Sequence, residues 1–329
     1  MEVDRELDVI DVVRESDARS EPLLVLGGGS NLVVSDEGFP GTVLRLATRG
    51  IEVRKNGARM DVTVAAGEPW DGFVATAVEG GLAGVECLAG IPGLTGAVPM
   101  QNVGAYGQDV SKTITAVRVW DRESRRVVSF DRASCQFAYR TSVFRGKTRH
   151  VILDVTFELE PSGESCPIRY AELSNALGIG EGERAPAARV RETVIALRRK
   201  KGMVLDPNDA DTTSAGSFFT NPILDADALT ALKDRVSPVL RKDEVMPTFA
   251  EPNAMTKVSA AWLIERAGFG KGFQKGDVAI SRKHALALTN RGSAKTADLL
   301  AMARTIRDGV RERFGVTLEN EPVLVGASL

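Results

Sequence analysis

Between Gly90 and Gly107 the chain reads GIPGLTGAVPMQNVGAYG, 18 residues with five glycines, two prolines and no charged side chain. An amphipathic helix needs a polar face, and this stretch has none. A strand does not carry glycine and proline at this density. A solvated linker is rich in Ser, Lys and Glu, and none of these occurs here. What remains is a long irregular segment that avoids charge. Such backbone is ordered by what it wraps around, and glycines let it approach closely. Its side-chain polar groups are Thr95, Gln101, Asn102 and Tyr106. The pattern predicts the wall of a site for a large, flat, polyphosphorylated cofactor.

The rest of the composition narrows the partners. A length of 329 residues predicts two or three domains. A formal net charge of −2 argues against nucleic acid or an anionic membrane as the main partner. The N-terminus, MEVDRELDV, is acidic where a signal peptide is basic, and no apolar run reaches membrane-spanning length, so the expectation is a cytoplasmic protein. Cys87, Cys135 and Cys166 are far apart and odd in number, which fits a reducing compartment. With His150 and His284 as the two histidines and no CxxC or HxxxH spacing, no metal site is expected. Those two histidines are also the candidate bases for a Ser-His-Asp triad, and neither stands near a nucleophile elbow.

Residues 20–160 read as antiparallel β with a few helices. A short helical pattern at Leu7, Ile10 and Val13 precedes strands at Leu23–Leu26, Leu32–Ser35 and Thr42–Leu46, then a half-buried strand at Asp61–Ala65. Trp70–Val78 reads as a helix stopped by glycines. Strands follow at Val117–Asp121, Val127–Phe130 and His150–Glu160. The second half changes character. Residues 187–201 form a basic amphipathic helix with Val190, Val194 and Leu197 on one face, and 206–216 (DPNDADTTSAG) reads as a flexible polar loop. A helix at 257–267, a strand at Ala285–Thr289, a long helix from about 294 to 314 and a strand-like tail, Val316–Val325, predict a separate α+β domain.

Five short segments carry candidate chemistry. GGGSN at Gly27–Asn31 follows a strand but leads into β-branched LVVSD, so a dinucleotide-binding βα turn is excluded. Two readings stay open: a tight turn without a ligand, or a nest of backbone N–H groups for an anion, with Ser30 and Asn31 adding donors. The second segment is Gly90–Gly107 itself. In AYRTSVFR, Arg140 suits two-pronged carboxylate binding or a surface ion pair. In AGSFFTNP, Ser217 stands at the edge of an apolar wall or serves as an ordinary turn residue, and nothing local activates it as a nucleophile. In LENEPVLVG, Glu319 and Glu321 share one strand face and are either functional or solvated.

In order along the chain, GGGSNL, GIPGLTGAVPMQNVGAYG, YRTSVFR, AGSFFTNP, SAAWLIERAGFGKG and LENEPVLVG resemble the bacterial UDP-N-acetylenolpyruvoylglucosamine reductase family, the MurB enzymes of peptidoglycan synthesis. The resemblance spans about residues 22–326. It implies an α+β protein: an FAD-binding fold of the vanillyl-alcohol-oxidase/PCMH type with a separate smaller α+β substrate-binding domain. The implied division is 1–48 plus 317–329 as the first FAD-binding subdomain, 49–205 as the second, and 206–316 for substrate. The implied chemistry is reduction of UDP-N-acetylglucosamine enolpyruvate to UDP-N-acetylmuramate, with FAD as cofactor and NADPH as hydride donor, by a cytoplasmic monomer with no nucleic-acid or membrane partner.

The resemblance also assigns residues. Arg140, Ser217 and Glu321 match the catalytic positions, Ser217 being the family's proton donor. Gly27, Gly28, Gly29, Ser30, Asn31, Leu32, Gly90, Ile91, Pro92, Gly93, Gly96, Ala97, Gln101, Asn102, Gly104, Ala105, Tyr106 and Gly216 are the implied FAD cradle. Tyr139, Tyr170, Arg198, Lys201 and Asn221 are the implied substrate contacts, with Tyr170 in IRYAEL matching the substrate-loop tyrosine of the family's first type. Two departures stand out. Family members carry an extra N-terminal stretch before the helix that here starts near Leu7, so this chain is expected to begin inside the first subdomain. Pro322-Val323 follows Glu321 where some relatives have a basic residue.

Overall fold

The computed structural model describes all 329 residues, which fall into two compact units. One comprises residues 1–30 and 39–200, the other 31–38 and 201–329. The chain opens with β1 (Glu2–Val3), α1 (Glu6–Ala18), β2 (Leu23–Leu26), β3 (Leu32–Val34) and β4 (Thr42–Leu46).

In the first unit, β1, β4 and β2 form a three-stranded parallel sheet in that order. Residues 2–3, absent from the expected strands, pair with Arg45 and Leu46. Helix α1 packs on this sheet through Val9, Ile10 and Val13, whereas Leu7, expected on the buried face, is 65% exposed. Then come β5 (Ile51–Asn56), β6 (Arg59–Ala65), α2 (Trp70–Glu79), β7 (Leu82–Ala83), the hairpin β8 (Gly104–Ala105) and β9 (Gln108–Asp109), β10 (Ile114–Asp121), β11 (Arg126–Asp131) and β12 (His150–Pro161). An antiparallel sheet runs in the order β11, β10, β12, β6, β5, and β7 pairs with the far end of β12. Trp70 and Phe73 of α2 meet Phe157 of β12, with ring centroids 5.0–5.7 Å apart. Burying each such side chain contributes roughly 1.5–3 kcal/mol. Helices α3 (Ala171–Leu177) and α4 (Ala187–Lys200) complete the unit, and α4 buries Val190 and Val194.

The second unit begins with β3 and resumes at Lys201. It contains β13 (Ile223–Leu224), α5 (Ala226–Val236), β14 (Thr248–Ala250), β15 (Thr256–Val258), α6 (Ala260–Arg266), β16 (Gln274–Lys275), β17 (Val278–Ile280), β18 (Leu288–Asn290), α7 (Thr296–Phe314) and β19 (Val323–Val325). Its sheets are small: β13-β15-β14, β16-β17-β18 and the parallel pair β19-β3. Helix α7 supplies much of the core through Leu300, Ala303, Ile306, Val310 and Phe314, and Gly315 ends it in the left-handed region. Asp225 caps α5 by accepting from Ala228 N–H, and Ser259 caps α6 by accepting from Trp262 N–H. The tail is a strand only at 323–325, and the strand expected at 285–289 is confined to 288–290, because a turn occupies 281–287. Residues 317–329 group with 31–38 here, since Val323–Val325 pairs with Leu32–Val34.

Candidate functional site

In the first unit, two glycine loops lie against each other. A Cβ on Gly28 would stand 2.8 Å from the Gly93 Cα, so glycine at 28 is what allows the two backbones to meet. Gly27 faces Leu94 and Ala97, Gly29 is left-handed at φ +71°, and Ser30 Oγ donates to Pro92 O at 3.2 Å. The second loop is held from behind. Trp70 N–H donates to Gly93 O, Thr95 N–H to Glu68 O and Gly96 N–H to Ala66 O. Asp71 Oδ1 accepts from Gly90 N–H at 2.6 Å while its other oxygen takes the Arg191 guanidinium at 3.1 Å. Backbone therefore forms this wall, with Ile91 and Gly93 half-buried and Pro92 and Ala97 exposed.

The same segment is more regular than expected further on. Thr95–Ala97 is a short 3₁₀ turn, and Gly104–Asp109 is a hairpin whose two loop residues, Tyr106 and Gly107, have φ of +48° and +82°. That is the twist a two-residue hairpin requires. Gln101 sits in the turn before it. Asn102, expected at the cofactor, has its amide engaged by protein: Nδ2 donates to Ala138 O at 3.1 Å and Oδ1 accepts from Ser111 N–H at 3.0 Å.

All three tyrosines of the chain and the candidate arginines Arg140 and Arg198 belong to this unit. The Tyr106 and Tyr170 rings meet edge to face at 5.5 Å. Burial pushes the Tyr106 phenol up to about 12 and raises Tyr170 as well. The Arg198 side chain passes 3.5 Å from where a Gly90 Cβ would be. Burial pulls its pKa down, opposed by Tyr106 and Asp71, yet an arginine keeps its charge. Arg140 adopts φ +52°, a conformation uncommon outside glycine. Its carbonyl accepts from Arg145, its guanidinium donates to Gly104 O at 2.8 Å, and it lies 5.5 Å from the Tyr139 ring. A side chain at 104 would stand 2.9 Å from Asp109 Cβ and from Gln108 O, and 3.3 Å from the Arg140 guanidinium.

In the second unit, the extended run Ser217–Thr220 lies between two others. Phe218 N–H donates to Leu286 O on one side. On the other, Glu321 N–H donates to Phe218 O at 2.8 Å and Thr220 N–H to Glu319 O at 3.0 Å. Ser217 and Glu321 are thus brought onto adjacent segments from opposite ends of the unit's sequence. Asn31 belongs here too: its Nδ2 donates to Glu321 O at 3.5 Å and its carbonyl accepts from Val323 N–H, while Leu32 pairs with Val323. Gly216 is left-handed at φ +78°, and Asn221 Oδ1 accepts from Ala260 N–H at the start of α6. Lys201 opens the unit's main segment, half-buried.

Two features escaped sequence reasoning. His284 Nε2 and Ser217 Oγ share a hydrogen bond at 3.1 Å across 67 residues. The loop 206–216, read as flexible, is pinned: Asp211 is buried, ion-paired to Arg291, and accepts from Arg282 N–H at 2.8 Å, while Asp209 pairs with Lys283. Burial opposes ionisation of Asp211, but the Arg282 N–H, Arg291 and Ser281 hydrogen bonds outweigh it and hold the carboxyl below its usual range.

Comparison with known proteins gives this geometry a context. Residues 206–325 match the family model for the UDP-N-acetylenolpyruvoylglucosamine reductase C-terminal domain, and residues 1–129 match that for an FAD binding domain. A UDP-N-acetylenolpyruvoylglucosamine reductase of Thermobifida fusca is 55% identical over 98% of this chain and 91% of its own length. This chain belongs to the UDP-N-acetylenolpyruvoylglucosamine reductase family. Relatives of the same name from Streptomyces coelicolor and Mycobacterium avium are 55% and 50% identical, over 98% and 94% of this chain and 84% of each of theirs. The crystal structure of UDP-N-acetylenolpyruvylglucosamine reductase (MurB) from Thermus caldophilus superposes with a TM-score of 0.65 at 24% identity, covering 98% of this chain and 91% of that one. The α+β fold is the one seen in that reductase, with an FAD binding domain matched at 1–129 and the reductase C-terminal domain at 206–325. The glycine loops at 27–30 and 90–107 lie within the matched FAD-binding region, and their close backbone packing leaves a side-chain-poor surface that fits a pyrophosphate and a flat ring system. No helix is long and apolar enough to cross a membrane.

Proposed function

We propose that this family member reduces the enolpyruvyl group of UDP-N-acetylglucosamine enolpyruvate to UDP-N-acetylmuramate in peptidoglycan synthesis, with NADPH as reductant. The observation that carries the proposal is the meeting of Ser217 and Glu321 on hydrogen-bonded segments inside the matched reductase domain. When bound, FAD would supply hydride chemistry, with NADPH as the source of the reducing equivalents. Gly27–Asn31, Leu32, the Gly90–Tyr106 segment and Gly216 hold that cofactor.

The chain's side chains manage the charge and the proton. Negative charge grows on the substrate carbon beside its carboxylate. Arg140, braced by Gly104 and Arg145, neutralises that charge where it develops. Ser217 donates the proton that completes the product. A serine hydroxyl is a weak acid, but a carbanion is a far stronger base, so the transfer is downhill. Glu321 supports the same centre. Tyr139, Tyr170, Arg198, Lys201 and Asn221 bind the UDP-sugar and NADPH. In this scheme 1–48 with 317–329, and 49–205, serve FAD, and 206–316 serves the substrate. The enzyme works as a cytoplasmic monomer, which light scattering tests against its 35.2 kDa mass.

The deciding experiment is anaerobic reduction of the purified yellow protein by NADPH, followed by addition of the enolpyruvyl sugar or of air. Rapid reoxidation by the sugar is expected. Fast reoxidation by air with no response to the sugar identifies an oxidase of the same fold instead.

A further inference from the structure

We propose that His284 polarises Ser217 and returns the proton that Ser217 gives up, acting as the positioning and relay residue of the proton-delivery step. The proposal rests on the reading of Ser217 as proton donor. A serine that donates from Oγ–H must keep its hydrogen pointed at the substrate and must be reprotonated before the next turnover. His284 Nε2 lies 3.1 Å from Oγ, within reach for both tasks. With the proton on Nε2 the imidazole donates to the Oγ lone pair, which leaves the hydroxyl hydrogen for the substrate.

The turn that carries His284 is held by its own backbone hydrogen bonds. His284 N–H donates to Ser281 Oγ at 3.3 Å, and its carbonyl accepts from Ala287 N–H at 3.2 Å. Ser217 itself bridges to Ala287, so one short turn fixes both partners. The charges around this turn are balanced. Lys283 is paired with Asp209, Arg291 with Asp211, and Arg282 N–H also donates to Asp211. Glu321 lies on the segment bonded to Phe218. The ring is half-buried, which leaves it a route to solvent for its own proton.

The step balances as follows. The Ser217 O–H bond breaks as a C–H bond forms on the substrate carbanion, leaving an alkoxide. The imidazolium Nε2–H bond then breaks to rebuild the hydroxyl, leaving neutral imidazole, which takes a proton from water.

The test separates the half-reactions of the holoenzyme by rapid mixing. In His284→Ala and His284→Gln, flavin reduction by NADPH should stay within about twofold of the parent while reoxidation by the enolpyruvyl sugar falls about 100-fold. Glutamine can donate a hydrogen bond but cannot titrate. The parent's reoxidation rate should therefore fall as pH rises through the imidazole midpoint, and the His284→Gln profile should be flat. With two histidines in the chain, proton NMR reads the pair without turnover. The resonance lost in His284→Gln should shift its midpoint in Ser217→Ala, while that of His150 stays. An unchanged reoxidation rate in His284→Ala, or full recovery of rate and pH profile in His284→Gln, overturns the proposal while leaving Ser217 as donor. Undiminished reoxidation in Ser217→Ala removes the donor and the relay together.

Discussion

The two units are built from different materials. In the first unit the glycine-loop wall is backbone against backbone, with Gly28 on Gly93 and a hairpin at 104–109 that makes room for Arg140. In the second unit the Ser217 region is side chain against side chain, with Ser217 on His284 and a loop pinned by Asp211–Arg291 and Asp209–Lys283. Backbone walls fail by losing space, and side-chain networks fail by losing charge or a proton. One protein therefore carries two separable sensitivities, to added methyl groups on one side and to pH and charge deletion on the other.

The strongest test of that separation is Ser217→Ala. Sugar-dependent reoxidation should drop by about 10²–10⁴-fold with FAD content and NADPH reduction intact. Equal loss in both half-reactions, read by stopped-flow absorbance, would end the separation. Next, Arg291→Ala leaves the buried Asp211 carboxylate without its cation and should cost about 3–5 kcal/mol in urea unfolding. The sign with pH follows from the lowered Asp211 pKa. Its contribution is fully present above the ordinary aspartate pKa and is lost as pH falls through the lower folded value, so the deficit of the variant should shrink only below about pH 4. Gly28→Ala should act on the other side, costing about 1–3 kcal/mol and lowering bound FAD, measured by the 450 nm to 280 nm absorbance ratio. Retained FAD with slowed reoxidation would contradict the comparison. Smallest, Arg140→Lys should reduce turnover about tenfold with less change in substrate affinity, because lysine lacks the two-pronged contact.

Much of this was legible along the sequence, and the exceptions share a cause. The Gly90–Gly107 segment announced itself because its lack of charge is local, and α7 because its apolar face repeats every three to four residues. Strand β5 (IEVRKN) was missed because all its residues but Ile51 are exposed, so no alternation marks it. The pinning of 206–216 depends on Asp211 meeting an arginine 80 positions away. His284 was visible as one of two histidines but lay 67 residues from Ser217. Pattern reports a residue's own face, whereas these contacts depend on which turns the tertiary fold sets side by side. The Asn102 amide spans Ala138 and Ser111 in the same way, 36 and nine positions away.

Strand β3 is translated almost three hundred positions before its parallel partner β19. Until residues 323–325 emerge from the ribosome, Leu32–Val34 has no ladder to join in its own unit, and Val33, buried in the finished second core, waits uncovered. The nascent chain thus carries an apolar strand through most of its synthesis. Separate expression of residues 201–329 would omit that strand altogether, leaving Val323–Val325 as an open edge for another chain to pair with.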